Sequence, residues 1–173
     1  MTDIDALAQL QDENTSAEIL DELSGSENPF VRVRVAAHIN ISVETLVKLS
    51  SDEAPLVKQF VAENLKTPVE TLLELSEDSD MLYWIAGNPN TPVDLLNKFA
   101  RGEDENVRSS VAVNPSTPVG RLGRLSEDED AGVRSAVAKN PLTPVEILNV
   151  LSKDAEEDVR DAVSQNPNYS ATE

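Results

Sequence analysis

The 173-residue chain has no cysteine. That removes disulfides, thiolate metal ligands and a cysteine nucleophile at once. It has one histidine, His38, so a hydrolytic triad or a histidine metal site would have to be built on that single ring. Cations are scarce: 14 Lys and Arg stand against 32 Asp and Glu, for a formal net charge of −18. A nucleic-acid binder needs Lys and Arg to displace counterions from phosphates, and anionic membranes attract the same side chains. The charge therefore points away from nucleic acid and membrane, and towards solubility and a protein partner of basic character. No apolar run approaches the ~18 residues of a membrane span. The opening "MTDIDALAQLQDEN" has neither the basic nor the apolar segment of a secretory signal. The expected setting is cytoplasmic. Aromatic residues number only six, so their positions carry information.

What the chain has instead is repetition. "NPNTPVDLLNKFA" begins at Asn88, "NPSTPVGRLGRLS" at Asn114 and "NPLTPVEILNVLS" at Asn140. Val69, Val93, Val119 and Val145 mark the register, and steps of 26 back from Val69 reach Val43 and Ala17. Pairs of Val with a basic residue, at Val31-Arg32, Val57-Lys58, Val107-Arg108, Val133-Arg134 and Val159-Arg160, keep the same period. A fixed period of this length is the signature of a solenoid. A single repeat domain over 1–173 is expected, with about six copies in 14–168. Residues 1–13 would form a capping half-repeat and 169–173 a C-terminal tail.

Each copy spells two short helices. In "TPVETLLELS" the spacing predicts Thr67 as N-cap, Pro68 at the first helical position and Glu70 completing a capping box. Val69, Leu72, Leu73 and Leu75 recur at helical spacing and would face the stack. A serine (24, 50, 76, 126, 152) closes the helix, and an acidic loop follows. The second helix, "VRSAVAKN" in its clearest copy, has Val133, Val137 and Ala138 on one side and ends at Asn140-Pro141.

The unit "D..VR..VA.NP.TPVE.L..LS" resembles the leucine-rich repeat variant family over residues 14–168. The resemblance implies an all-α fold, a right-handed α-solenoid (superhelix) of 24–26-residue repeats. It implies a second helix that is shorter and often 3₁₀. Here most units have 26 residues, which puts about two extra in the acidic loop. An iron–sulfur segment is associated with one member of that family, but it needs cysteines, so no cluster carries over and no cofactor is expected. The second helix is also similar to the inner helix of the longer HEAT repeats. The strand signature L-x-L of true leucine-rich repeats is absent from the sequence.

Few residues invite chemistry. His38 occupies the slot of Asn64 and Asn88 in later copies, which favours a structural part. The serines recur with the repeat, and the acidic loops lack the EF-hand spacing, so neither a nucleophile nor a metal site is read. The Asn row (64, 88, 114, 140, 166) suits the turns between units. The basic row (Arg32, Lys58, Arg108, Arg134, Arg160) suits ion pairs with acidic loops. No enzyme is expected. The departures from the repeat are more informative. The third copy, "MLYWIAGNPN", is two residues short. It has Leu82 in the slot of Lys58 and Arg108, Tyr83 in that of Gln59, and Trp84 in that of Phe60. Phe60, Leu82, Tyr83 and Trp84, with Arg34 and Arg108 on either side, are the candidate partner-binding residues. The expected function is a protein–protein interaction scaffold or adaptor with an acidic surface. The alternatives are an acidic nucleic-acid mimic that occupies a basic groove, and a self-assembling subunit. The protein would otherwise be monomeric or only weakly self-associating.

Overall fold

The computed structural model describes residues 2–169. Among them are thirteen α-helices, one 3₁₀ turn and no strand, so the fold is all-α. No helix among the described residues is long and apolar enough to cross a membrane. The expected tail over 169–173 lies, beyond Tyr169, outside the described residues.

The chain divides into two compact units, Met1–Asn90 and Thr91–Glu173. The first unit holds α1 (Asp3–Gln9), α2 (Ala17–Leu23), α3 (Pro29–Ala36), α4 (Val43–Leu49), α5 (Pro55–Glu63), α6 (Val69–Leu75) and α7 (Leu82–Gly87). The second holds α8 (Val93–Phe99), α9 (Glu105–Val113), α10 (Val119–Leu125), α11 (Ala131–Lys139), α12 (Val145–Leu151) and α13 (Glu157–Ser164). In the first unit α1, α3, α5 and α7 pack one on the next, and in the second α9, α11 and α13 do so. The intervening helices line the side of each stack. This is α-solenoid packing, in which each repeat rests on its neighbours. The helix α1 fills the place of a second helix at the N-terminal end, buries Ala6 and Leu10, and opens with a capping box between Thr2 and Asp5.

The core comes from both helix types. Second helices bury Val31 and Val35, Val57 and Val61, Ile85, and Val133 and Val137, and the turn before α7 buries Met81. First helices bury Leu46 and Leu49, Leu72 and Leu75, Leu122 and Leu125. The apolar face of a first helix is narrower than the spacing predicted, because Val69 and Leu73 are 39% and 44% exposed. A seven-residue helix makes two turns, and its first and fifth residues share one side; here that side faces water. The second helices are α-helical rather than 3₁₀. The one 3₁₀ turn, Ser79–Met81, leads into α7 in the copy that is two residues short.

The predicted capping box is absent at Thr67. The helix starts at Val69 with Pro68 as its cap residue, and the Thr67 hydroxyl donates back to the Val61 carbonyl. Thr117 and Thr143 do the same to Val111 and Val137. These are final-turn carbonyls of a second helix that also accept the N–H of the capping asparagine, so threonine closes the helix before it rather than opening the one after. Serine replaces proline at Ser16 and Ser42, and at Ser42 a true side-chain cap forms to Thr45 N–H.

Buried asparagines tie one copy to the next. Asn140 Nδ2 donates to the carbonyls of Ala112 and Asn114 at 2.7 and 3.2 Å, and Oδ1 accepts from Leu142 N–H at 2.8 Å. Asn166 repeats the pattern on Ala138, Asn140 and Asn168, and Asn88 on Ala62, Asn64 and Asn90. Asn140→Ala strands buried backbone groups on both sides. It is expected to lower the unfolding free energy by about 2–4 kcal/mol in urea denaturation.

Candidate protein-interaction surface

The groups that could carry chemistry are engaged in the scaffold. His38 is buried and stands in for asparagine. Its Nδ1 accepts the Asn40 N–H, and its Nε2 lies 3.1 Å from the Asp12 carbonyl. A backbone N–H can only donate, so Nδ1 is the acceptor and the ring proton sits on Nε2. The repeated serines at 24, 50, 76, 126 and 152 close the first helices by donating to carbonyls three residues back. Among the described residues no group of three or more His, Cys, Asp or Glu could hold a metal ion.

The basic row forms a ladder of ion pairs. Arg108 grips Asp128 with Nε and Nη2 at 2.8 and 2.9 Å, while Nη1 donates to the carbonyls of Gly102 and Glu103. Arg32 with Asp52 and Arg134 with Asp154 are built the same way, each cation reaching an acid 20 residues on. Lys58 pairs with Asp78. Arg160 donates to the Asp154 and Ala155 carbonyls. Such forks combine charge with fixed geometry. Burial pushes the Asp128 carboxyl up, but the Arg108 fork and the Asp130 N–H outweigh it and hold the group below the usual carboxylate range. The Arg134 fork, working against partial burial, does the same for Asp154.

These carboxyls have lower pKa values folded than unfolded. Their stabilisation is therefore complete above the ordinary Asp value near 4 and disappears as pH falls through the depressed folded values. Asp128→Asn is expected to lower the unfolding free energy by about 2–4 kcal/mol at neutral pH. The gap to the wild type should stay constant above about pH 5 and close only as pH falls through the depressed folded value of Asp128. Urea unfolding across that range checks it.

What remains facing outward on the second helices differs between the two units. In Met1–Asn90, Phe60, Leu82 and Trp84 are half-buried and Tyr83 is 43% exposed. The Tyr83 and Trp84 rings meet edge to face, with centroids 4.6 Å apart. Arg34 is exposed on α3, in the slot of Phe60 and Trp84. Arg108 lies in the other unit, 8% exposed, with its guanidinium turned into the ladder and away from any partner. The sequence reading missed two residues. Phe30 is 66% and Leu56 42% exposed, each one residue before the buried valine of its helix. Phe30 lies four residues before Arg34, and Leu56 four before Phe60, so each pair shares a helix face. The signal was available, because later copies have Asn106, Gly132 and Asp158 at that position. In the second unit the positions matching Tyr83 and Trp84 carry Ser109, which is half-buried, and Ser110, Ser135 and Ala136, which are buried.

A family model described as leucine rich repeat variant matches residues 105–130, one period of the repeat. A solved structure described as a leucine-rich repeat variant with a novel repetitive protein structural motif is similar at 28% identity and a TM-score of 0.61. That likeness covers 93% of this chain and 70% of the other. No curated protein matches. The helix pairs, their polar ties and these two likenesses show a helical repeat protein that matches the leucine-rich repeat variant model over residues 105–130 and whose fold is similar to a solved leucine-rich repeat variant.

Proposed function

We propose that the protein is a non-enzymatic, cytoplasmic scaffold or adaptor that binds another protein through the second-helix face of its Met1–Asn90 unit. Phe60, Leu82, Tyr83 and Trp84 form the centre of the contact, Arg34 lies at its edge, and the surrounding carboxylates define an acidic surface. Arg108 serves the reading by holding its own loop in place. One observation carries the proposal. Large apolar side chains at Phe30, Leu56 and Tyr83 remain 66%, 42% and 43% exposed on three successive helices, where later copies have small or polar residues. Clustered exposed apolar surface of this kind marks interaction sites, and Tyr and Trp are favoured as anchors. The repeat scaffold is compatible with it, since each copy can change its outward residues without disturbing its polar ties.

The net charge of −18 supports a second reading, an acidic decoy for a basic groove. Salt separates the two, because exposed charge pairs are screened while apolar anchoring is not. Wild type and the Tyr83→Ala/Trp84→Ala variant would serve as baits, with washes at about 0.15 and 0.5 M NaCl and circular dichroism to confirm folding. The expected result is a protein retained by wild type at high salt and depleted at least tenfold with the variant. Equal capture by both baits, with loss of everything at high salt, would reject the aromatic surface in favour of the decoy.

A further inference from the structure

The apolar band of the Met1–Asn90 unit has carboxylates along one flank. Phe30, Leu56 and Asp80 stand one residue before the buried Val31, Val57 and Met81, and Phe60 and Trp84 follow one turn later on α5 and α7. Glu27 and Glu53, in the loops that enter α3 and α5, are exposed, the Glu53 side chain to 92% with Arg32 Nη2 3.8 Å from one of its oxygens. Asp80 is exposed at the entry to α7. Residues 1–90 contain 17 acidic and five basic side chains. Of the five, Arg32 and Lys58 pair with Asp52 and Asp78, Lys48 lies 3.9 Å from Asp21, and Lys66 donates to the Ile41 carbonyl. Arg34 is left as the cation of this face.

Resting on the reading above, we infer that this band receives a cationic amphipathic helix of the partner protein. Its apolar residues lie across α3, α5 and α7, and its Lys or Arg residues face Glu27, Glu53 and Asp80. The spacing suits a helix. Packed helices lie about 8–10 Å apart, and a helix rises about 10.5 Å in seven residues. A partner helix crossing the stack therefore places one apolar residue over each repeat at a heptad interval. The charge suits a basic one, because an acidic flank would meet like charge along the whole edge.

The test uses the full chain and its single tryptophan as reporter. Three tryptophan-free peptides of about 18 residues share a leucine heptad stripe and differ only in a flank of Lys, Gln or Glu. Each is titrated while Trp84 emission is followed, with wild type and with Phe30→Ser/Leu56→Ser. Both substituted side chains are exposed, and a thermal melt confirms that the variant folds. The expected result is that the Lys peptide binds at least tenfold tighter than the Gln peptide, the Glu peptide binds weakest, and the variant loses at least tenfold. If the Gln peptide binds as tightly as the Lys peptide, the cationic partner is wrong while the protein-binding face stands. If the variant binds the Lys peptide like wild type, or if no peptide moves Trp84 emission, the band is not a helix-docking site and this inference falls, while the protein-binding reading is decided by its own capture experiment.

Discussion

The fold depends on a carboxamide placed at the end of each second helix. An asparagine side chain offers two donors and an acceptor on one short stem. Here the donors reach carbonyls of the preceding copy and the acceptor takes the N–H two residues ahead, so one residue fixes both the turn and the register between copies. Buried polar groups are costly unless every one is satisfied, and no buried side-chain nitrogen or oxygen among the described residues lacks a partner. His38 shows that the geometry matters more than the residue. Its two ring nitrogens reproduce the acceptor and a donor of the amide at the junction with the N-terminal helix.

The arginine–aspartate ladder does the matching work at the other end of the second helices. The guanidinium groups of Arg32, Arg108 and Arg134 each hold their own loop by backbone carbonyls and the next loop by a carboxylate. A solenoid has no long-range core, and its stability is a sum of repeat and nearest-neighbour terms. Polar ties at both ends of the helix pair supply much of the register that a globular core would supply by packing. They also occupy the residue types from which a catalytic or anion-binding site would be made. The outward positions are then free to vary, and in Met1–Asn90 they vary towards large apolar side chains.

Much of this was legible in the sequence. The period, the two helices per copy, the structural part of His38 and the serines, and the ion-pair row all follow from residue types that recur at fixed intervals. Thr67 was misread because Thr-Pro-x-Glu also spells a capping box, and only the burial of its hydroxyl against the preceding helix end shows which way it bonds. Val69 and Leu73 were misread because helical spacing gives the side of a helix but not how wide a face the neighbours cover. Phe30 and Leu56 escaped notice because they sit beside valines that define the repeat, although Asn106, Gly132 and Asp158 in later copies mark that position as outward-facing. Trp84, expected to meet a partner, is half-buried, its ring edge to face with Tyr83.

The central claim is that buried asparagine amides hold the copies in register, and side-chain amide hydrogen exchange followed by NMR tests it most directly. The Nδ2 protons of the buried Asn88, Asn140 and Asn166, and of the half-buried Asn64, should exchange far more slowly than those of the exposed Asn14 and Asn149. If all six exchange alike, at the rate of a solvated amide, the asparagines do not tie the repeats and the account of the fold is wrong.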